Sequence, residues 1–169
     1  MGEAKRKALA ARRGAHAAPS QPQIVDTLGG RMRVRWDQAA ACGVSQVSAL
    51  TLLSELMVLP SHLKACQLSR YAGLDVRQAQ SGSSINRPGR LSKAGNAYLR
   101  SALFMPALAA VRHDVHARAF FEALVVRGKK RIQAVCAVMR KYLTGIWACL
   151  RANESFDSAK LFSTAHLGA

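Results

Sequence analysis

A chain of 169 residues with 25 Lys and Arg against 9 Asp and Glu, a formal net charge of +16, has room for one domain with a genuine core but not for two. Half of its residues are apolar, only 6% are aromatic, and Ala and Leu outnumber the β-branched types, so an all-α fold is expected rather than a sheet. The charge excludes an acidic or neutral scaffold and points to a polyanion held by counterion release, with a solvated basic face as the plain alternative.

Along the chain, residues 1–38 read as a basic, largely disordered arm and linker: an Ala/Arg/Lys-rich start, then Pro, Ser and Gln. Within it Arg31, Arg33 and Arg35 alternate with Met32, Val34 and Trp36, a period of two that suits a short strand or extended arm. Residues 39–158 read as a small helical domain and 159–169 as a tail. Val47, Leu50, Leu53, Leu56 and Met57 predict a helix that ends before Pro60, and Leu63, Cys66, Leu68 and Tyr71 a shorter one stopped by Gly73. A polar loop follows. The next helix is expected from Lys93 or Ala94, kinked or broken at Pro106. "VHARAFFEALVVRG" ends a fourth at Gly128. The last helix carries Ile132, Val135, Cys136, Met139, Tyr142, Leu143, Ile146, Trp147 and Leu150 on one face, and the chain is expected to fray after Asn153.

Arg140 and Lys141 interrupt the longest apolar run, so it fails as a transmembrane segment, and no basic amphipathic helix with an aromatic rim suggests a membrane surface. A soluble chain without a membrane partner is expected. Cys42, Cys66, Cys136 and Cys149 form no CxxC pair and read as small buried hydrophobes in a reducing cytoplasm.

Four constellations carry chemistry. "ACGVSQVSALTLLSE" has the look of a helix-hairpin-helix turn in which Gly43 lets a phosphate approach the backbone, although Ser45 stands where a second glycine is expected; an ordinary helix N-terminus fits equally. His113 and His116 have the i, i+3 spacing of two metal ligands, but the segment suits a helix end or surface turn better, and no metal site is assigned. "RGKKR", with Lys129, Lys130 and Arg131, is either solvated loop charge or a set of phosphate contacts. In the polar loop, Ser81, Ser83 and Ser84 flank Gly82, with Arg77, Arg87, Arg90 and Lys93 around them. No His or carboxylate has triad spacing, so a hydrolase is disfavoured. A serine that attacks a phosphodiester held by guanidinium groups makes better use of these residues.

The elements "CGVSQVSALTLLSEL", "LSRYAGLDVRQAQSGSS", "GRLSKAGNAYLRSALFMPALAAVRHD", "FFEALVVRGKK" and "AVCAVMRKYLTGIWACLRANESFD" stand in order from about Gly43 to Leu161. Together they resemble the C-terminal domain of the insertion sequence 116/110/902 family of transposases, most specifically in YAGL, QSG, LSKAGN-x-x-LR and MRK. The resemblance implies DNA transposition by strand exchange, with DNA and a guide RNA as partners, and a homo-oligomer or association with a full-length transposase. It implies that Ser81 is the nucleophile and that Gly43 is the helix-hairpin-helix glycine. Arg77, Lys93, Asn96 and Arg100 match polar positions expected to face nucleic acid, as are Ser45, Gly82, Arg87, Arg90, Lys129, Lys130 and Arg131. Full-length relatives bind divalent metal, magnesium being the expected ion, through four carboxylates of an N-terminal ribonuclease-H-like domain. Nothing before Ala39 supplies that set, so no cofactor is assigned to this chain. The expectation is a truncated, cytoplasmic, nucleoid-associated transposase that binds nucleic acid but does not transpose alone. The alternative is a non-catalytic basic nucleic-acid-binding protein.

Overall fold

The computed structural model describes residues 23–27, 30–34, 39, 41–81 and 85–162, with side chains at 39, 41–77 and 89–162. In chain order these form β1 (Gln23–Thr27), β2 (Gly30–Val34), α1 (Gln46–Met57), α2 (Ala65–Tyr71), β3 (Val76–Ser81) and β4 (Ile85–Leu91). There follow α3 (Ala97–His113), α4 (Val115–Val126), α5 (Arg131–Ala152) and α6 (Ser158–Leu161). The strands pair only within two separate antiparallel hairpins, so the body is helical, as the composition requires. The expected basic helix and linker before Gln23, and the last residues of the tail, lie outside the described residues. The alternating Arg31–Arg33 stretch is a strand, β2, paired with β1 and lying along α5.

The helix α5 organises the core, packing against α2, α3, α4 and α6. Its buried face runs through Val135, Met139, Tyr142, Leu143, Ile146, Trp147 and Leu150, as read from the sequence, joined by Val138; Ile132, expected on the same face, is 56% exposed because it stands in the first turn beyond the core, and Cys136 is only partly buried. Its two large polar aromatics also tie down loops. Trp147 Nε1 donates to the Leu63 carbonyl at 3.0 Å, and Tyr142 Oη donates to the Cys42 carbonyl at 3.3 Å. Burial, then the Asp114 carboxylate and the Cys42 thiol, push the Tyr142 phenol well above its usual range, so it stays a donor.

Several expectations are corrected. α1 turns a face inward that only partly matches the one expected: Leu53 and Leu56 are buried as read, together with Ala49 and Leu52, whereas Val47 is 75% and Leu50 58% exposed. Pro106 neither breaks nor ends α3, which is continuous through it. Proline removes one N–H, and here the ring is buried in the core, where packing offsets the lost bond. The helix also starts at Ala97 rather than Lys93, because the Asn96 side chain caps it. The chain past Asn153 does not fray: Asp157 caps α6, Phe162 is buried, and the Lys141 ammonium donates to the Leu161 carbonyl at 3.0 Å while lying over the Phe120 ring. Cys66 is exposed and the other three cysteines are partly buried, so none is the fully buried hydrophobe expected.

Candidate nucleic-acid interface

The site begins at a clamp. α2 ends in a Schellman motif: Gly73, at φ +66°, donates to the Arg70 carbonyl at 2.8 Å and Leu74 to that of Ser69 at 2.9 Å. The chain returning from β4 is fastened to this end. Ser92 N–H donates to Asp75 (2.9 Å), Lys93 N–H to Gly73 (3.1 Å) and Asn96 N–H to Tyr71 (2.8 Å). Gly95 lies so close that a Cβ there would stand 2.2 Å from the Tyr71 carbonyl oxygen. Asn96 Oδ1 accepts from Leu99 N–H at 3.1 Å, and its Nδ2 donates to the Glu55 carboxylate and to Tyr71 Oη. Arg100 Nη1 donates to the carbonyls of Ala72, Gly95 and Asn96 at 2.9, 3.2 and 3.3 Å. Asn96 and Arg100, expected to face nucleic acid, thus spend these donors inside the fold. Asn96→Ala is expected to lower stability by about 1–2 kcal/mol, mainly through the lost cap, as measured by urea unfolding.

From the clamp rises the β3–β4 hairpin, where the sequence suggested a loop. Arg77 stands directly opposite Arg90, and Ser81 opposite Ile85 at the far end. Between Arg77 and Ala79 the register shifts, with Pro88 and Gly89 facing the single Gln78, so the residues that read as loop punctuation form a bulge. Arg77 and Arg90 are both exposed. Like charges facing each other across strands oppose pairing, a cost that an anion removes. Ser81 lies about 16 Å from the hairpin base at ordinary strand rise. Gly82, Ser83 and Ser84, and the side chains of Ser81 and Arg87, lie outside the described residues.

The hairpin base forms one wall of a groove of about 990 Å³, and the α4–α5 corner forms the other. Its cations are Arg90, Lys93, Lys129, Lys130 and Arg140. A second Schellman motif places the corner: Gly128, at φ +81°, donates to the Val125 carbonyl and Lys129 to that of Leu124. Lys130 is then the N-cap of α5, its N–H donating to Gln133 Oε1 at 3.1 Å. Lys129 and Lys130 therefore line the groove, whereas Arg131 stacks over Phe121 at 5.9 Å. Among the described residues none of the five groove cations is in an ion pair; Asp114 and Asp157 serve as helix caps and Glu154 faces Lys160. Burial pushes the Cys136 thiol up, with the Lys93 charge opposing, so this groove thiol is a poor nucleophile.

The remaining candidates have roles within the fold. Ser45 caps α1, accepting from Ser48 N–H at 3.2 Å. Gly43, at φ +84°, lies against α3, where a Cβ would stand 2.5 Å from that of Ala109. His113 ends α3 and His116 opens α4 across the Asp114 cap; among the described residues no group of His, Cys, Asp and Glu is suited to hold a metal. Sequence reasoning missed Arg140 and the apolar groove residues Val76 and Ile132. The available signal was helical spacing, since Gln133, Cys136, Ala137 and Arg140 share one side of α5.

Residues 40–122 match the sequence model of the family described as Transposase IS116/IS110/IS902, a span that takes in the clamp and the whole hairpin. Through these residues the chain belongs to the IS116/IS110/IS902 transposase family. Over 99 residues it is 40% identical to the pilin gene-inverting protein of Moraxella lacunata, an alignment covering 57% of this chain and 30% of that one. It is 30% identical over 116 residues to the insertion element IS110 uncharacterized 43.6 kDa protein of Streptomyces coelicolor (69% and 28% covered). Over 104 residues it is 30% identical to the insertion element IS900 uncharacterized 42 kDa protein of Mycobacterium paratuberculosis (60% and 25% covered). The chain thus spans less than a third of the length of these relatives. Among the described residues no helix is long and apolar enough to cross a membrane.

Proposed function

We propose that this chain is a DNA-binding and strand-exchange domain in which the groove holds strand phosphates and Ser81 is the nucleophile. One observation carries the reading: the hairpin that bears Ser81 near its tip is also, by its base, a wall of the groove that gathers five cations, none of them in an ion pair among the described residues. In the reaction, Ser81 Oγ attacks a phosphodiester phosphorus in line. Its proton leaves, a phosphoserine ester forms, and one deoxyribose hydroxyl departs, taking up a proton. Attack by the hydroxyl of an incoming strand reverses the step and restores the serine, so the phosphodiester bond energy is retained. Arg77, Arg90 and Arg87 along the hairpin neutralise and hold the phosphate. The carboxylates for divalent metal are assigned to a full-length relative that acts together with this chain. The described residues offer no such set, and no step here runs through a metal. A guide RNA and a homo-oligomer complete the proposed assembly, which works on the nucleoid.

A suicide DNA substrate supplied together with a full-length relative tests this. A covalent protein–DNA adduct on this chain is expected, and Ser81→Ala is expected to abolish it; an adduct that survives the substitution, or none with either form, removes Ser81 from the chemistry. The second reading, non-catalytic binding, is supported by the unpaired cations alone and predicts salt-dependent binding without an adduct.

A further inference from the structure

We infer that the groove takes an unpaired nucleic-acid strand rather than the outside of a duplex. The inference rests on the DNA-handling reading above and specifies which form of DNA that surface receives. The groove lining carries five cations, but much of the rest of it is apolar. Val76 is 57% and Ile132 56% exposed, and Leu91, Leu124 and Ala137 are only partly covered. Solvated aliphatic surface in a charged groove is unfavourable unless a ligand covers it.

A duplex satisfies only the cations, because its base faces are hidden in the stack and its outside is sugar and phosphate. An unpaired strand offers phosphates and exposed apolar base faces together, and so meets both surfaces of the groove. The cations come from two sets of elements, Arg90 and Lys93 from the hairpin side and Lys129, Lys130 and Arg140 from the helical side, which suits one chain lying between them. The facing pair Arg77 and Arg90 continues the positive track up the hairpin toward Ser81. Among the described residues no aromatic side chain lines the groove, so base contact is by aliphatic burial rather than ring stacking, and the preference is expected to be indifferent to base identity.

The test is fluorescence anisotropy on the full chain, with a labelled thymine-only oligonucleotide and a duplex of equal length titrated at the same salt. Tighter binding of the single strand is expected. The double substitution Val76→Ser with Ile132→Ser is expected to lower single-strand affinity about three- to tenfold through lost apolar burial and to leave duplex affinity unchanged. Both side chains are more than half exposed, so circular dichroism should show an intact fold. Photo-crosslinking of the unsubstituted chain to an iodouracil-bearing single strand adds a readout free of any variant: adducts are expected on the peptides containing residues 76 and 132–140. Equal or tighter duplex binding, a substitution that weakens both or neither, or crosslinks that map elsewhere would overturn the inference while salt-dependent DNA binding persists. If neither form binds in a salt-dependent manner, the DNA-handling reading falls with it.

Discussion

Replacing Arg90, Lys129 and Lys130 together by glutamine is expected to make DNA binding by this chain markedly less sensitive to salt. Each phosphate contact releases condensed counterions and adds about 0.9 to the slope of log affinity against log salt on duplex DNA, less on a single strand. Three lost contacts should therefore flatten a duplex slope by about 2.7 and weaken binding most at low salt. The three side chains are exposed and, among the described residues, make no ion pair, so the fold should not register the change. Arg151 lies outside the groove lining, and Arg151→Gln is the matched control. Anisotropy titrations at several salt concentrations read the slope. A triple variant whose slope equals that of the control would show that the phosphates lie on some other face.

Which parts of this arrangement were legible in the sequence follows from how local their causes are. α5 was readable because its stripe from Val135 to Leu150 keeps strict helical period and its polar residues fall outside it. The buried face of α1 is only partly legible, at Leu53 and Leu56, because apolar residues at 47, 49, 50, 52, 53, 56 and 57 surround much of that helix, so periodicity fits more than one face. Contact with α3, a long-range fact, decides between them. The β3–β4 hairpin was read as a loop for a related reason. Its residues have weak strand propensity, and its pairing is anchored by bonds from residues 92 to 96 back to 71 to 75, which no local pattern encodes. Charge points to a polyanion, and "RGKKR" stands out as basic in the sequence. Which of its residues line the groove depends on the turn at Gly128 and on the Phe121 ring that holds Arg131.

The clamp changes the meaning of the motif LSKAGN-x-x-LR. Its polar residues invited assignment to nucleic acid, yet Asn96 and Arg100 bind the end of α2, and Gly95 permits the contact. A two-stranded hairpin is at best marginally stable alone, so a hairpin that must present Ser81 and two facing arginines depends on a rigid root. The motif supplies that root, so in the proposed site Asn96 and Arg100 act through position rather than contact. Lys93 does both: its N–H is bonded to Gly73 and its ammonium lines the groove.

Gly95→Ala is therefore expected to be among the most damaging single substitutions in the chain. At φ +146° the backbone lies in a region that only glycine enters cheaply, and the new methyl group would stand 2.2 Å from the Tyr71 carbonyl oxygen and 2.9 Å from the Gly73 nitrogen. Relief requires moving the backbone that holds Asn96 N–H to Tyr71, and with it the root of the hairpin. Strain of this kind costs on the order of 1–3 kcal/mol before the clash is added. A total near 3 kcal/mol would lower the melting temperature by about 10 °C for a chain of this size. Gly128→Ala separates the two causes, since Gly128 is also left-handed, at φ +81°, but has nothing within 4 Å of an added Cβ. It should cost only the conformational share, about 1–2 kcal/mol. Thermal melts followed by circular dichroism rank the two: equal losses would mean that the clamp yields without cost, and that the hairpin's position is set by something other than the close approach at Gly95.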